Sequence, residues 1–146
     1  MTRLKHEEAN TKQVGGTHYN SAYQHWDWVE DTGMGYLEAQ ATKYITRWRK
    51  KDGRKDVEKA LHYVEKLLER FDKHHRTNRI QIKGSAAAAK LDKLTERFCK
   101  ENKLSPAEAE IAHIMANWDE RNDLTRVQFM LISIIEGLTA KELEKA

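Results

Sequence analysis

One cysteine and one proline stand among 146 residues. A lone thiol, Cys99, cannot close an internal disulfide, and no C-x-x-C or other zinc spacing occurs, so neither a disulfide framework nor a cysteine-rich metal site is expected. No apolar run reaches 18 residues, which argues against a transmembrane helix, and the first residues lack the apolar stretch of a signal peptide. These absences lead us to expect a protein of the reducing cytoplasm with no membrane partner. Strand-like alternation and internal repeats are also missing. There is no G-x-x-x-x-G-K-[ST] segment, so no Walker A loop is available to hold phosphates.

What the chain has in quantity is charge. Charged residues make up 34% and the mean hydropathy is −0.86, so the core must come from amphipathic helices or subunit contacts. The charge is unevenly spread: residues 1–83 hold 17 Lys/Arg against 12 Asp/Glu, whereas residues 84–146 hold 9 against 11. Six of the seven histidines also fall in the first part. Anion-handling chemistry is therefore expected in the N-terminal part.

The pattern predicts an all-α fold: an antiparallel helical hairpin core with additional C-terminal helices, oligomeric through apolar faces. Residues 1–13 are polar and aperiodic and read as a tail; residues 14–83 form the hairpin domain; residues 84–146 form a C-terminal helical region for packing or oligomerisation. Ser21 and Gln24 read as a capping box opening a short helix with Tyr23, Trp26 and Val29. A helix over 36–51 carries Leu37, Ala41, Tyr44, Ile45 and Trp48 at three-to-four spacing, ends at Asp52-Gly53, and is followed by a helix over 54–73 with Val57, Ala60, Leu61, Val64, Leu68 and Phe71. Alanines after Ser85 start a helix ending near Cys99. Ser105-Pro106-Ala107-Glu108 is an N-cap, an N1 proline and an N3 carboxylate. A nearly all-apolar helix over 127–136 is expected to end at Gly137, with a last short helix after it.

The most informative segment is KYITRWRKKDGRKDVEKALHY, Lys43 to Tyr63. Arg47, Arg49, Lys50, Lys51, Arg54 and Lys55 crowd its turn, a concentration that costs self-repulsion unless an anion is near. Lys43, Arg47 and Lys50 share one helical face, and Asp56, Lys59 and Tyr63 share another. Facing each other, these stripes make a phosphate clamp, with Asp56 orienting a lysine or activating a hydroxyl. The alternative is a solvated cationic face with Asp56 as a helix cap. Gly15-Gly16-Thr17-His18-Tyr19 offers backbone N–H groups for a phosphate and His18 as a proton donor, or else is a turn with an exposed histidine. Trp26, Tyr44 and Trp48 sit at core spacing, while Tyr19 and Tyr63 lie off the apolar stripe and suit a base or ribose.

Other chemistry is poorly served. All-helical nucleotide pyrophosphohydrolases hold magnesium with carboxylates at i, i+3 on two helices. Here Glu38 and Asp56 lack such partners, and Glu65 and Glu69 lie on a solvated face, so no dedicated metal site is expected, even if Mg2+ travels with a nucleotide. His74-His75 reads as a solvated pair and Cys99 as a buried apolar residue. The helix over 127–135 has no polar face for reading DNA.

The order G-G-x-H-Y, a short tryptophan-containing helix, then A-x-K-Y-x-x-R, K and D-V-x-K-A-x-x-Y resembles a family of small tailed-phage proteins, filed as unknown function, that includes an early podophage nucleotide kinase. The matching positions are Gly16, His18, Tyr19, Lys43, Tyr44, Arg47, Lys51, Asp56, Lys59, Ala60 and Tyr63, within about residues 14–70. Members often carry Asn in the helix before the K-Y pair, where this chain has Gln40. The resemblance implies phosphoryl transfer from a nucleoside triphosphate to a deoxynucleoside monophosphate in the host cytoplasm. It implies phosphate contacts from Lys43, Arg47, Lys51 and Lys59, nucleoside contacts from Tyr19, Tyr44 and Tyr63, and acid–base work by His18 or Asp56. The competing readings are a non-catalytic nucleic-acid or host-protein binder using the basic hairpin, and a nucleotide hydrolase or sequestering protein.

Overall fold

The computed structural model describes residues 21–74 and 86–145, and every regular element among them is a helix. In chain order these are α1 (His25–Thr32), α2 (Tyr36–Ile45), α3 (Arg54–His74), α4 (Ala86–Glu101), α5 (Pro106–Asn117) and α6 (Arg121–Glu144). Helix α3 packs on α2 and α6, α5 packs on α2, α4 and α6, and α1 packs on α4.

Two apolar clusters organise these contacts. The larger joins Ala41 and Ile45 of α2, Val57, Ala60, Val64, Leu67 and Leu68 of α3, Ile111 and Met115 of α5, and Leu124, Val127 and Leu131 of α6. The smaller holds Tyr23, Trp28, Met34, Phe98, Ala112 and Ala116. Helix α5 feeds both: Ile111 and Met115 face one cluster and Ala112 and Ala116 the other, a division that follows from the 100° step between neighbouring residues. The core of the basic N-terminal half is therefore completed by the acidic C-terminal half.

Local chemistry explains where elements start and stop. Ser105 accepts the Glu108 N–H at 3.2 Å, and the Glu108 carboxylate accepts the Ser105 N–H at 3.0 Å, so α5 begins as its sequence predicts. Gly53 takes the left-handed conformation, φ 55°, before α3. In α1 the box sits three residues later than expected: Gln24 is the N-cap, and its N–H donates to Asp27 at 3.0 Å.

Three expectations are corrected. First, the helix over 36–51 stops at Ile45. Residues 46–53 are turns because Arg47 is drawn to Asp56 while Trp48 and Arg49 are drawn to Glu108. Second, α6 runs unbroken through Gly137. Glycine costs about 1 kcal/mol in a helix interior, and the packing of Ile134, Ile135 and Leu138 on the larger cluster outweighs it. Third, Trp26 is 52% exposed; Trp28 is the buried ring, stacked on Phe98 at 4.4 Å with its N–H donating to Thr95 at 3.0 Å. Among the described residues, no helix is long and apolar enough to cross a membrane.

Candidate functional site

The packing of α2 on α3 gathers side chains 20 residues apart around one ring. The Arg47 guanidinium lies 4.6 Å from the Tyr44 ring centroid, the Lys59 ammonium 5.0 Å and the Lys43 ammonium 5.5 Å. Tyr63, one helical turn beyond Lys59, stacks on Tyr44 at 6.0 Å with planes 8° apart. Tyr36, at the start of α2, meets Tyr63 edge-on at 6.4 Å and 80°. The outcome is a row of three tyrosines with three cations at the Tyr44 end. Electron-rich ring faces moderate the repulsion among these cations but do not neutralise them.

One carboxylate approaches this group. Asp56 has no exposed surface; it accepts from Arg47 at 3.4 Å and from the Asp52 N–H at 3.2 Å. Arg47 itself is 11% exposed in its side chain. Buried as it is, Asp56 cannot touch a ligand. Its carboxylate joins Arg47 to the backbone of the turn at Asp52. Lys43 and Lys59 have no carboxylate at ion-pair distance among the described residues; both ammonium groups lie against the Tyr44 ring.

The surroundings tune two further groups. Burial, then the neighbouring Tyr36 and Tyr44, push the Tyr63 hydroxyl above its ordinary pKa, so it stays a neutral phenol. Behind Lys43, His25 lies 2.9 Å from the Thr42 hydroxyl, which donates to the Glu38 carbonyl at 2.8 Å, so the histidine Nε2–H is the donor. Burial first and the Lys43 charge second lower the His25 pKa to about 4. It is a neutral, structural imidazole.

Sequence-predicted residues thus divide. Lys43, Tyr44, Arg47, Asp56, Lys59 and Tyr63 come together. Lys51 stands exposed in the turn and is not among the groups around Tyr44. His18 and Tyr19, with the Gly15-Gly16 loop, lie outside the described residues, as does His75. Of the other cations crowding the turn, Arg49 donates to Glu108 at 2.8 Å and Arg54 reaches Thr139 and, at 3.1 Å, Glu142. Sequence reasoning missed Tyr36 as a member of the row, although its position about two turns before Lys43 and Tyr44 carries the signal. It also missed the second role of Glu108, which accepts the Trp48 indole N–H at 2.8 Å; no local pattern announces a partner 60 residues away.

Among the described residues, no three His, Cys, Asp or Glu side chains gather to hold a metal ion. Cys99 is half-buried, its thiol pushed up to about 11 by burial, and it is unreactive as a nucleophile. No protein-family model, curated protein or solved structure matches this chain.

Proposed function

We propose that the α2–α3 pair is a helical hairpin that binds nucleotide phosphates, and that the chain is a nucleotide kinase-like phosphotransferase. The observation that carries the reading is the crowding of Lys43, Arg47 and Lys59 around Tyr44, with the two lysines lacking any carboxylate partner among the described residues. Two ammonium groups without a carboxylate partner among the described residues suit the oxygens of a phosphate, and Arg47, held by Asp56, adds a fixed positive charge beside them. The kinase assignment adds the phage-family resemblance.

The step would be attack by a phosphate oxygen of the deoxynucleoside monophosphate on the γ-phosphorus of a nucleoside triphosphate. The bond from that phosphorus to the β-phosphate oxygen breaks, leaving two diphosphates. Such transfer needs alignment and charge neutralisation more than covalent help. Lys43, Arg47 and Lys59 would neutralise the transferring group. No dedicated magnesium cage is built from the described residues, so any Mg2+ would arrive with the nucleotide. His18 remains the acid–base candidate and Tyr19 a nucleoside contact. The reading also includes work in the host cytoplasm and self-association through the exposed Phe129, Ile132 and Leu143 of α6; light scattering that gives a monomer at micromolar concentration would contradict the association.

The test incubates the purified chain with each deoxynucleoside monophosphate and a nucleoside triphosphate, then resolves the products. Deoxynucleoside diphosphate is the expected product. Nucleoside monophosphate formed from triphosphate would instead make it a hydrolase, and salt-sensitive binding of nucleic acid without turnover would make it a binding module.

A further inference from the structure

Most exposed apolar side chains need no explanation, but Tyr36 differs from Trp26, Phe129 and Leu143 in what it continues. It is 69% exposed on the first turn of α2, off the stripe of Leu37, Ala41 and Ile45 that faces the larger cluster. It nevertheless belongs to an ordered group: it is edge-on to Tyr63, which is stacked on Tyr44. Charge changes along this row. Three cations surround Tyr44, while Tyr36, at the far end, has no cation in contact with its ring among the described residues.

A polar-to-apolar gradient of this kind matches a ligand with a phosphate at one end and an aromatic ring at the other. We infer that Tyr36 and Tyr63 form a stacking platform for the nucleobase of the ligand whose phosphate lies between Lys43, Arg47 and Lys59; this rests on the phosphate site proposed above. The exposed face of Tyr36 receives the base. Tyr63 fixes the angle of Tyr36 through their edge-on contact, so little freedom is lost on binding. Every base has a π-face, and a tyrosine platform offers no paired donor and acceptor to read a base edge. The platform therefore separates nucleotides from bare phosphates without choosing strongly among bases.

The test is equilibrium binding by the full chain of three probes: each of the four deoxynucleoside monophosphates, deoxyribose 5-phosphate, and inorganic pyrophosphate. For the wild type, every nucleotide should bind roughly tenfold or more tighter than deoxyribose 5-phosphate. Tyr36→Ala should erase that difference for all four bases and leave deoxyribose 5-phosphate and pyrophosphate unchanged, while Tyr36→Trp should keep it. In NMR spectra of the wild-type complex, base protons should move upfield through the Tyr36 ring current. A Tyr36→Ala protein that still prefers nucleotides, or loses one base only, overturns the platform and leaves the phosphate site standing. A wild type that binds none of the probes overturns the phosphate site and the platform with it.

Discussion

The cations of the 46–53 connection and its flanks face two different neighbourhoods. Towards α5 and α6 they are matched: Arg49 meets the buried Glu108, and Arg54 meets Glu142 and Thr139. Towards the α2–α3 face Asp56 meets Arg47, while Lys43 and Lys59 have no carboxylate at ion-pair distance among the described residues. Asp56 and Glu108 make the contrast instructive, because the two do similar work. Each is a buried carboxylate at the third position of a helix, and each takes an arginine from the same connection. Glu108 ties the connection to the C-terminal helices; Asp56 holds Arg47 beside two lysines that no carboxylate among the described residues answers. A crowd of cations in a sequence is thus ambiguous until partners are assigned, and the unanswered members mark the candidate site.

The comparison can be broken most forcefully at Asp56. Asp56→Ala leaves the nearly buried Arg47 without a counter-charge and should cost about 3–5 kcal/mol of unfolding free energy, measured by urea denaturation. For the same reason Arg47→Ala tests folding as much as binding. Glu108→Ala should cost about 2–4 kcal/mol, since it strands the Trp48 N–H and removes half of a capping box. If Glu108→Ala were neutral, the C-terminal helices would not be what holds the connection.

Acid should act through His25. Its folded pKa, about 4, lies below the ordinary 6.5, so the native state binds fewer protons than the unfolded state between these values. The stability tied to its neutral form is complete above pH 6.5 and is lost as pH falls towards 4, by about 2–3 kcal/mol. Denaturation midpoints measured across that window should fall, and His25→Gln should flatten the fall. At the small end, Arg54→Gln removes a half-exposed pair with Glu142 and should change stability by less than about 1 kcal/mol.

Much of this arrangement was legible beforehand. The all-helical class, the Ser105 box, the Gly53 turn and the face bearing Asp56, Lys59 and Tyr63 follow from periodicity and capping chemistry, whereas Arg47 and Lys50 lie in the turns after α2 and do not continue the helical face of Lys43. The early end of α2 was not legible, because Trp48 continues the apolar spacing while its indole answers a carboxylate 60 residues away. Gly137 misled for the opposite reason: a local helix breaker is overruled by neighbours packed on a distant core. Trp26 and Trp28, two residues apart, could not be sorted between core and solvent until Phe98 and Thr95 chose Trp28. The errors fall where long-range partners decide, whereas the side chains gathered around Tyr44 come from positions whose spacing is local.

The central claim is that Lys43 and Lys59 are kept unpaired for a phosphate, whereas other lysines of the segment are solvated charge. The most direct measurement is calorimetric binding of a nucleoside triphosphate to two charge-matched variants, Lys43→Met/Lys59→Met and Lys50→Met/Lys55→Met. The first should lose roughly a hundredfold or more in affinity, as expected for removing two charge-assisted contacts, while the second stays within about threefold of wild type. Equal losses in the two variants would mean that net charge alone attracts the nucleotide, and would contradict the account.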